Sequence, residues 1–283
     1  MNRKYATASL LADALSLGPH WVYDQAQIAA AYPSGINGFS DPLSPYHPHR
    51  KAGQHTHYGD QTLLLQSSIT HAEGYQSAQW KSDWLAGMGD YDGYVDGASK
   101  ATLATQGEQP SESSDLAGAS RIGPILDLQL PLDQAIAAAR SQTQLTHGSP
   151  EVSDAAEFFT RAAYLLEDGL EIGEALEKAA SEGSYKTLPA AEALESAKQL
   201  QNRDFKGAAQ ELGLGCSIPG AFAVTLYFAL RPSKSFLASI SDNALAGGDS
   251  SARGMLLAIL LAAKLSPEDS ETIKDLSEKL SLA

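Results

Sequence analysis

Residues 241–254 read SDNALAGGDSSARG and lead straight into the apolar run MLLAILLAA. Two glycines, an aspartate, a serine pair and an arginine stand beside segments with the composition of buried core. A plain turn between helices would explain the glycines and leave the charges without a task. A site would explain both, with Asp249 at the mouth of a helix where something charged is bound. Aspartate is also a common helix cap, so the stretch alone leaves both readings open.

The chain on either side is patterned for helices. Leu10, Leu11, Ala14 and Leu17 recur at helical spacing near the amino terminus. In SPEVSDAAEFFTRAAYLLEDG, residues 149–169, Ser149 offers a cap and Pro150 a first turn. Val152, Ala156, Phe159, Ala163 and Leu166 then share one face, and Gly169 is a stop. Residues 170–180 and 193–200 repeat the pattern with charged outer faces, and alanine is abundant throughout. Alternating runs of β-branched and aromatic residues are missing, so no sheet is expected. The expected fold is all-α, a compact orthogonal bundle of roughly a dozen helices forming one domain over residues 1–283. Residues 32–60, 87–100 and 108–124 break the helical rhythm, and loops of that length are commonly functional.

Composition narrows the partners. The 283 residues carry 34 acidic against 20 basic side chains, a formal net charge of -14. That field repels phosphate backbones and anionic membranes, so neither nucleic acid nor membrane is expected as a partner. Cys216 is the single cysteine, which excludes an intrachain disulfide and a Cys-rich metal site and fits a cytoplasmic location. The start MNRKYATASLLADALSL resembles a signal peptide, but Asp13 interrupts it and a first helix is the expectation. Residues 212–230 are uncharged, yet their glycines and Pro-Gly pair point to a buried core helix and not a membrane span.

Several polar groupings could carry chemistry. His47, His49, His55 and His57 fall within eleven residues, with Asp60 just beyond. Imidazoles and a carboxylate can ligate zinc, but the spacing matches no zinc signature, and a ligand-facing loop is the expected role. Asp60 and Asp249 each stand at a helix start, where converging oxygens could hold a hard cation. HWVYD, residues 20–24, gathers an imidazole, an indole, a phenol and a carboxylate. YDGYVDGASK, residues 91–100, adds Tyr91, Tyr94, Asp92, Asp96 and Lys100.

Five motifs in order resemble the ADP-ribosylglycohydrolase family, the all-helical group that includes lens J1-type crystallins. They are ADALSLGPH at residues 12–20, Gly59-Asp60-Gln61-Thr62, GASRIGP at residues 118–124, Thr146-His147, and GGDSSA at residues 247–252. The family patterns are Gly-Asp-Ala-Leu-Gly followed by Glu, Thr-Asp-Asp-Thr, Gly-x-x-Met-Arg-x-x-Pro, Thr-His, and Gly-Gly-Asp-x-Asp-Thr. The resemblance runs from about residue 5 to 265 and implies the family's helical fold. It also implies hydrolysis of a glycosidic bond, with the two Asp-rich motifs holding a pair of magnesium ions.

The departures change that expectation. Gly59 replaces Thr, Gln61 and Ser251 replace Asp, Ala252 replaces Thr, and His20 replaces the Glu of the first block. Asp60 and Asp249 are the carboxylates left, with Arg253 beside the second. A magnesium pair is therefore not expected. The cofactor expectation is none, or a single Mg2+ held between Asp60 and Asp249. The expected catalytic groups are Asp60, His20 and Asp24, with Asp24 orienting His20. Gly118, Ser120, Arg121, His147, His57 and Asp96 are expected to line the substrate, a small ribose-containing or glycosidic molecule. Set against this divergent hydrolase is a non-catalytic reading, a ligand-binding or crystallin-like structural protein. His20 would then be a helix-end residue whose ring matters for packing alone.

Overall fold

The computed structural model describes residues 3–231 and 235–280. Among them helix is the regular element, with no strand and two isolated bridges, Ser111 with His147 and Asp115 with Ser217. The chain opens with α1 (Lys4–Ser16), α2 (Gln25–Ala31), α3 (His57–His71), α4 (Ser77–Gly89) and α5 (Gly97–Ala104). Two single turns follow, α6 (Ala117–Ser120) and α7 (Gly123–Leu126), and then α8 (Leu132–Gln144) and α9 (Pro150–Glu167). Next come α10 (Ile172–Glu182), α11 (Ala190–Gln199), α12 (Phe205–Leu212) and α13 (Gly220–Leu230). The last three are α14 (Phe236–Leu245), α15 (Ser250–Ala262) and α16 (Pro267–Ser277). The expected dozen is exceeded partly because α6 and α7 condense out of a stretch read as irregular.

The helix that follows the opening stretch sits at the centre. Helix α15 is apolar on nearly every side and buried along its length, as a helix without a polar face must be. It packs along α1 and also against α13, α14, α9 and α6. Helix α9 buries Val152, Ala156, Phe159, Ala163 and Leu166, the face read from the sequence. Ser149 precedes it without a side-chain capping bond, so Pro150 is the residue that sets its start. Helix α13 is the buried core helix expected within residues 212–230, and no helix among the described residues is long and apolar enough to cross a membrane. A second apolar cluster joins Trp80, Trp84 and Met88 of α4 to Leu65 and Ile69 of α3.

The glycines of the opening stretch have a steric cause. Gly247 and Gly248 take φ of 83° and 69°, the left-handed region that glycine enters without a Cβ penalty. The Gly248 carbonyl accepts from the Trp21 amide at 2.8 Å, and its own amide donates to the Val22 carbonyl at 2.8 Å. The Asp249 amide donates to the Leu214 carbonyl at 3.0 Å. A Cβ on Gly248 would lie 2.1 Å from the Leu214 carbonyl oxygen, so any side chain there forces the backbones apart. Gly248→Ala is expected to cost about 3 kcal/mol, seen as a lower denaturant midpoint at unchanged slope.

Candidate functional site

Helices α3 and α15 begin beside one another because both tie into one buried carboxylate on α1. Asp13 accepts from the Thr56 amide at 2.9 Å and from its hydroxyl at 2.5 Å. It also accepts from the Ser251 hydroxyl, and the His55 Nδ1 lies 3.1 Å away. The Thr56 and Ser251 hydroxyls are 3.4 Å apart. Gly59 makes room for this knot, since a Cβ there would meet Asp13 Oδ2 at 2.2 Å. The starts of the two motif helices therefore meet at Asp13.

Their carboxylates nevertheless have separate partners. Asp60 lies in the first turn of α3, whose cap is Thr56. It accepts from Arg50 Nη2 and from the Tyr91 hydroxyl, each at 2.5 Å. Burial raises its pKa, and the Tyr91 bond and the Arg50 charge pull the other way. Asp249 precedes α15 without a side-chain capping bond, although the Ala252 amide and the Cys216 thiol both favour its charged form. It is fully buried, with the Tyr58 hydroxyl 3.4 Å from Oδ2 and His20 Nδ1 3.7 Å from Oδ1. Burial raises its pKa to about 6 against the opposing charge of Arg253. That guanidinium is turned to backbone carbonyls, donating to Gly247 at 2.6 Å and Leu214 at 3.4 Å.

The Asp249 shift has a measurable consequence. Its stability contribution is complete below the unfolded value near 3.8 and is lost as the pH rises through about 6. Asp249→Asn, which keeps the shape and removes the charge, is expected to be more stable than wild type by about 1–3 kcal/mol in mildly alkaline buffer. The two proteins should converge in acid. Parallel chemical melts across that pH range check the sign.

Around Asp249 lies a buried set of imidazoles. The His20 ring stacks on Trp21 at 4.5 Å and lies 5.3 Å from His47, and His47 lies 5.9 Å from His57. All three imidazoles are held neutral. Burial pushes His20 well below its usual range, helped by His47, His57 and Arg253, and brings His47 and His57 to about 4. His20 Nε2, His47 Nε2, both nitrogens of His57, Trp21 Nε1 and Asp249 Oδ1 are buried with no hydrogen-bond partner. Such a concentration of unmatched polar atoms in one place is what a ligand group or an ordered water would satisfy. Asp96 caps α5 through Ser99 and faces His57, with Oδ2 3.6 Å from Nε2.

Other expected site residues are placed elsewhere. Asp24 is exposed and caps α2, accepting from the Ala26 and Gln27 amides, so it is Asp249 that faces His20. Arg121 is 2% exposed, and each of its nitrogens donates to a protein oxygen: Gln142 at 3.1 Å, Gln61 at 2.9 Å and Thr146 at 2.7 Å. Gln61 also accepts from Trp84 Nε1 at 2.9 Å. The Ser120 hydroxyl donates to Ala117, and the Gly118 carbonyl accepts from Gln142 and Thr143. His147 is bound through Nδ1 to the Thr146 hydroxyl at 2.9 Å, and burial lowers its pKa to about 3. Gly118, Ser120, Arg121 and His147 thus form internal scaffold under the site. His20, His57, Asp96 and Asp249 are the expected residues that the fold gathers.

A sequence model of the ADP-ribosylglycohydrolase family matches residues 5–269. The chain belongs to the ADP-ribosylglycohydrolase family. Among solved structures it is similar to a chain of an "ADP-ribosylglycohydrolase-related protein complex", with a TM-score of 0.66 and 16% identity. The likeness covers 99% of this chain and 96% of that one, and at such identity it speaks for the fold. No curated protein matches the chain.

The magnesium pair implied by the resemblance meets unsuitable residues here. Arg50 already supplies a cation to Asp60, and Gln61 is committed to Arg121 and Trp84. No group of three or more His, Cys, Asp or Glu side chains among the described residues is set to hold a metal ion. This ADP-ribosylglycohydrolase relative opens to solvent through a cleft of about 450 Å³ beside His47, walled by Tyr46, Tyr94 and Pro48, with Arg50 and Lys100 at its sides. Arg50 and Tyr46 were not foreseen. The signal was SPYHPHR at residues 44–50, where aromatic, histidine and arginine crowd a proline-rich approach to a helix.

Proposed function

We propose that the chain is a glycosidic-bond hydrolase for a small ribose-containing ligand and that it works without a magnesium pair. The observation that carries this is the buried Asp249–His20 alignment with His20 Nε2 left free. His20 Nδ1 accepts from the Ser251 amide at 3.4 Å and faces Asp249 Oδ1 at 3.7 Å. In this reading the working tautomer carries its proton on Nδ1, toward the carboxylate, which frees the Nε2 lone pair to accept a proton from water. The water oxygen attacks the anomeric carbon, and its proton passes to Nε2. Asp249, 3.7 Å from Nδ1, is the positioning residue through its charge, which the low-dielectric surroundings strengthen.

Arg50 replaces the first metal's charge at Asp60. Arg50→Ala is expected to give a protein whose melting temperature rises with millimolar magnesium, while wild type does not respond. A wild-type response would return metal to the account. The internal commitment of Arg121 favours a second reading, a non-catalytic ligand-binding or crystallin-like protein. Release of p-nitrophenol from p-nitrophenyl β-ribofuranoside separates the two, since the second predicts ligand-induced stabilisation at most.

A further inference from the structure

The cleft restricts what the ligand is. Tyr46 is 49% exposed, and its ring lies 5.2 Å from Trp21 and 5.5 Å from Tyr94, each edge-on. Trp21 and Tyr94 are themselves 4.9 Å apart, and Trp21 stacks on His20 below. Tyr46 and Tyr94 line the cleft together with His47, and Trp21 packs behind them against His20. The lining rings offer faces and edges to a flat ring. About 450 Å³ accommodates a sugar with one ring system.

Charge sets a second limit. Arg50 is paired with Asp60 at 2.5 Å and faces Asp92 at 4.0 Å. Lys100 is the remaining Lys or Arg of the lining, with Nζ 5.8 Å from the Tyr94 centroid. A diphosphate would bring at least two negative charges to one uncommitted cation, in a protein of net charge -14.

We infer that the substrate is a riboside whose leaving group is a flat aromatic or heteroaromatic ring and which carries no more than one phosphate, a nucleoside-type molecule. This rests on the hydrolase reading above. The ring lies between Tyr46 and Tyr94, and the ribose reaches toward His20. In the step, the anomeric C–N bond breaks with its electron pair leaving on the ring nitrogen. Water supplies the new C–O bond, and the proton taken by His20 Nε2 is returned to that nitrogen. The products are the free base and ribose, or ribose phosphate where the substrate carries a phosphate, and water is the only co-reactant.

Binding tests this independently of turnover. Calorimetry with adenosine, AMP, ADP-ribose and methyl riboside is run on wild type and on His20→Gln, which separates recognition from hydrolysis. Adenosine and AMP are expected to bind both proteins, and ADP-ribose and methyl riboside at least about tenfold more weakly. Tyr46→Ala and Tyr94→Ala should each weaken adenosine about tenfold, and Lys100→Ala should weaken AMP alone. Methyl riboside or ADP-ribose binding as tightly as adenosine overturns the inference, whether or not hydrolysis is seen. Tight adenosine binding with no hydrolysis by wild type leaves the substrate class standing and removes the hydrolase reading instead.

Discussion

His20→Gln is expected to lower turnover of p-nitrophenyl β-ribofuranoside about a thousandfold, the scale of a lost general base. Gln fills most of the imidazole's space and keeps a polar end, but it cannot take a proton from water. His20 is fully buried and stacked on Trp21, so the size of the replacement matters. His20→Ala leaves a cavity and is expected to cost about 2–4 kcal/mol of stability whichever role the ring has, so Gln is the informative replacement. The rate of wild type should rise with pH through about 6, because Asp249 must be ionised to hold the Nδ1 proton. Full activity of a folded His20→Gln protein would make the ring a packing element. A flat pH profile from pH 5 to 7 would contradict the role given to Asp249.

Arg253→Met is expected to be the most destabilising single substitution, by about 3–5 kcal/mol, because it strands a buried carboxylate. The guanidinium is 0% exposed and donates to Asn243 Oδ1 at 3.2 Å as well as to the Gly247 and Leu214 carbonyls. Those bonds brace the loop that carries Asp249, and the Arg253 charge is what restrains the rise of the Asp249 pKa. Denaturant melts of Arg253→Met and of the double variant with Asp249→Asn measure the coupling. The double variant should recover part of the loss, since the stranded charge is gone. Equal stability of the two would show that Arg253 acts through its carbonyl bonds alone.

The helices were legible because periodicity and burial are local signals: the α9 face and the apolar run that makes up most of α15 could each be read from consecutive residues. The glycine pair was legible as a special turn, but its reason, the Leu214 carbonyl 2.1 Å from a would-be Cβ on Gly248, belongs to tertiary structure. The site was half legible. Asp249, His20, His57 and Asp96 stood in or beside recognisable motifs, and the fold brings them together. Arg121 has the right charge and motif for a ligand contact, yet three internal acceptors claim it. No local pattern announces that Gln142 and Thr146 will be its neighbours. Arg50 reaches Asp60 across a loop, and a ten-residue separation in an irregular segment carries no periodic signal. Asp24 was placed near His20 by sequence distance, but the chain turns there and spends that carboxylate on α2.

In the proposed mechanism His20 and Asp249 carry the hydrolysis without magnesium. The direct measurement is the rate of p-nitrophenol release from p-nitrophenyl β-ribofuranoside by wild type and His20→Gln, each with excess EDTA and with added magnesium. The wild-type rate is expected to be unchanged by either addition and the His20→Gln rate to stay near background in both. A wild-type rate that collapses with EDTA and returns with magnesium would contradict this mechanism.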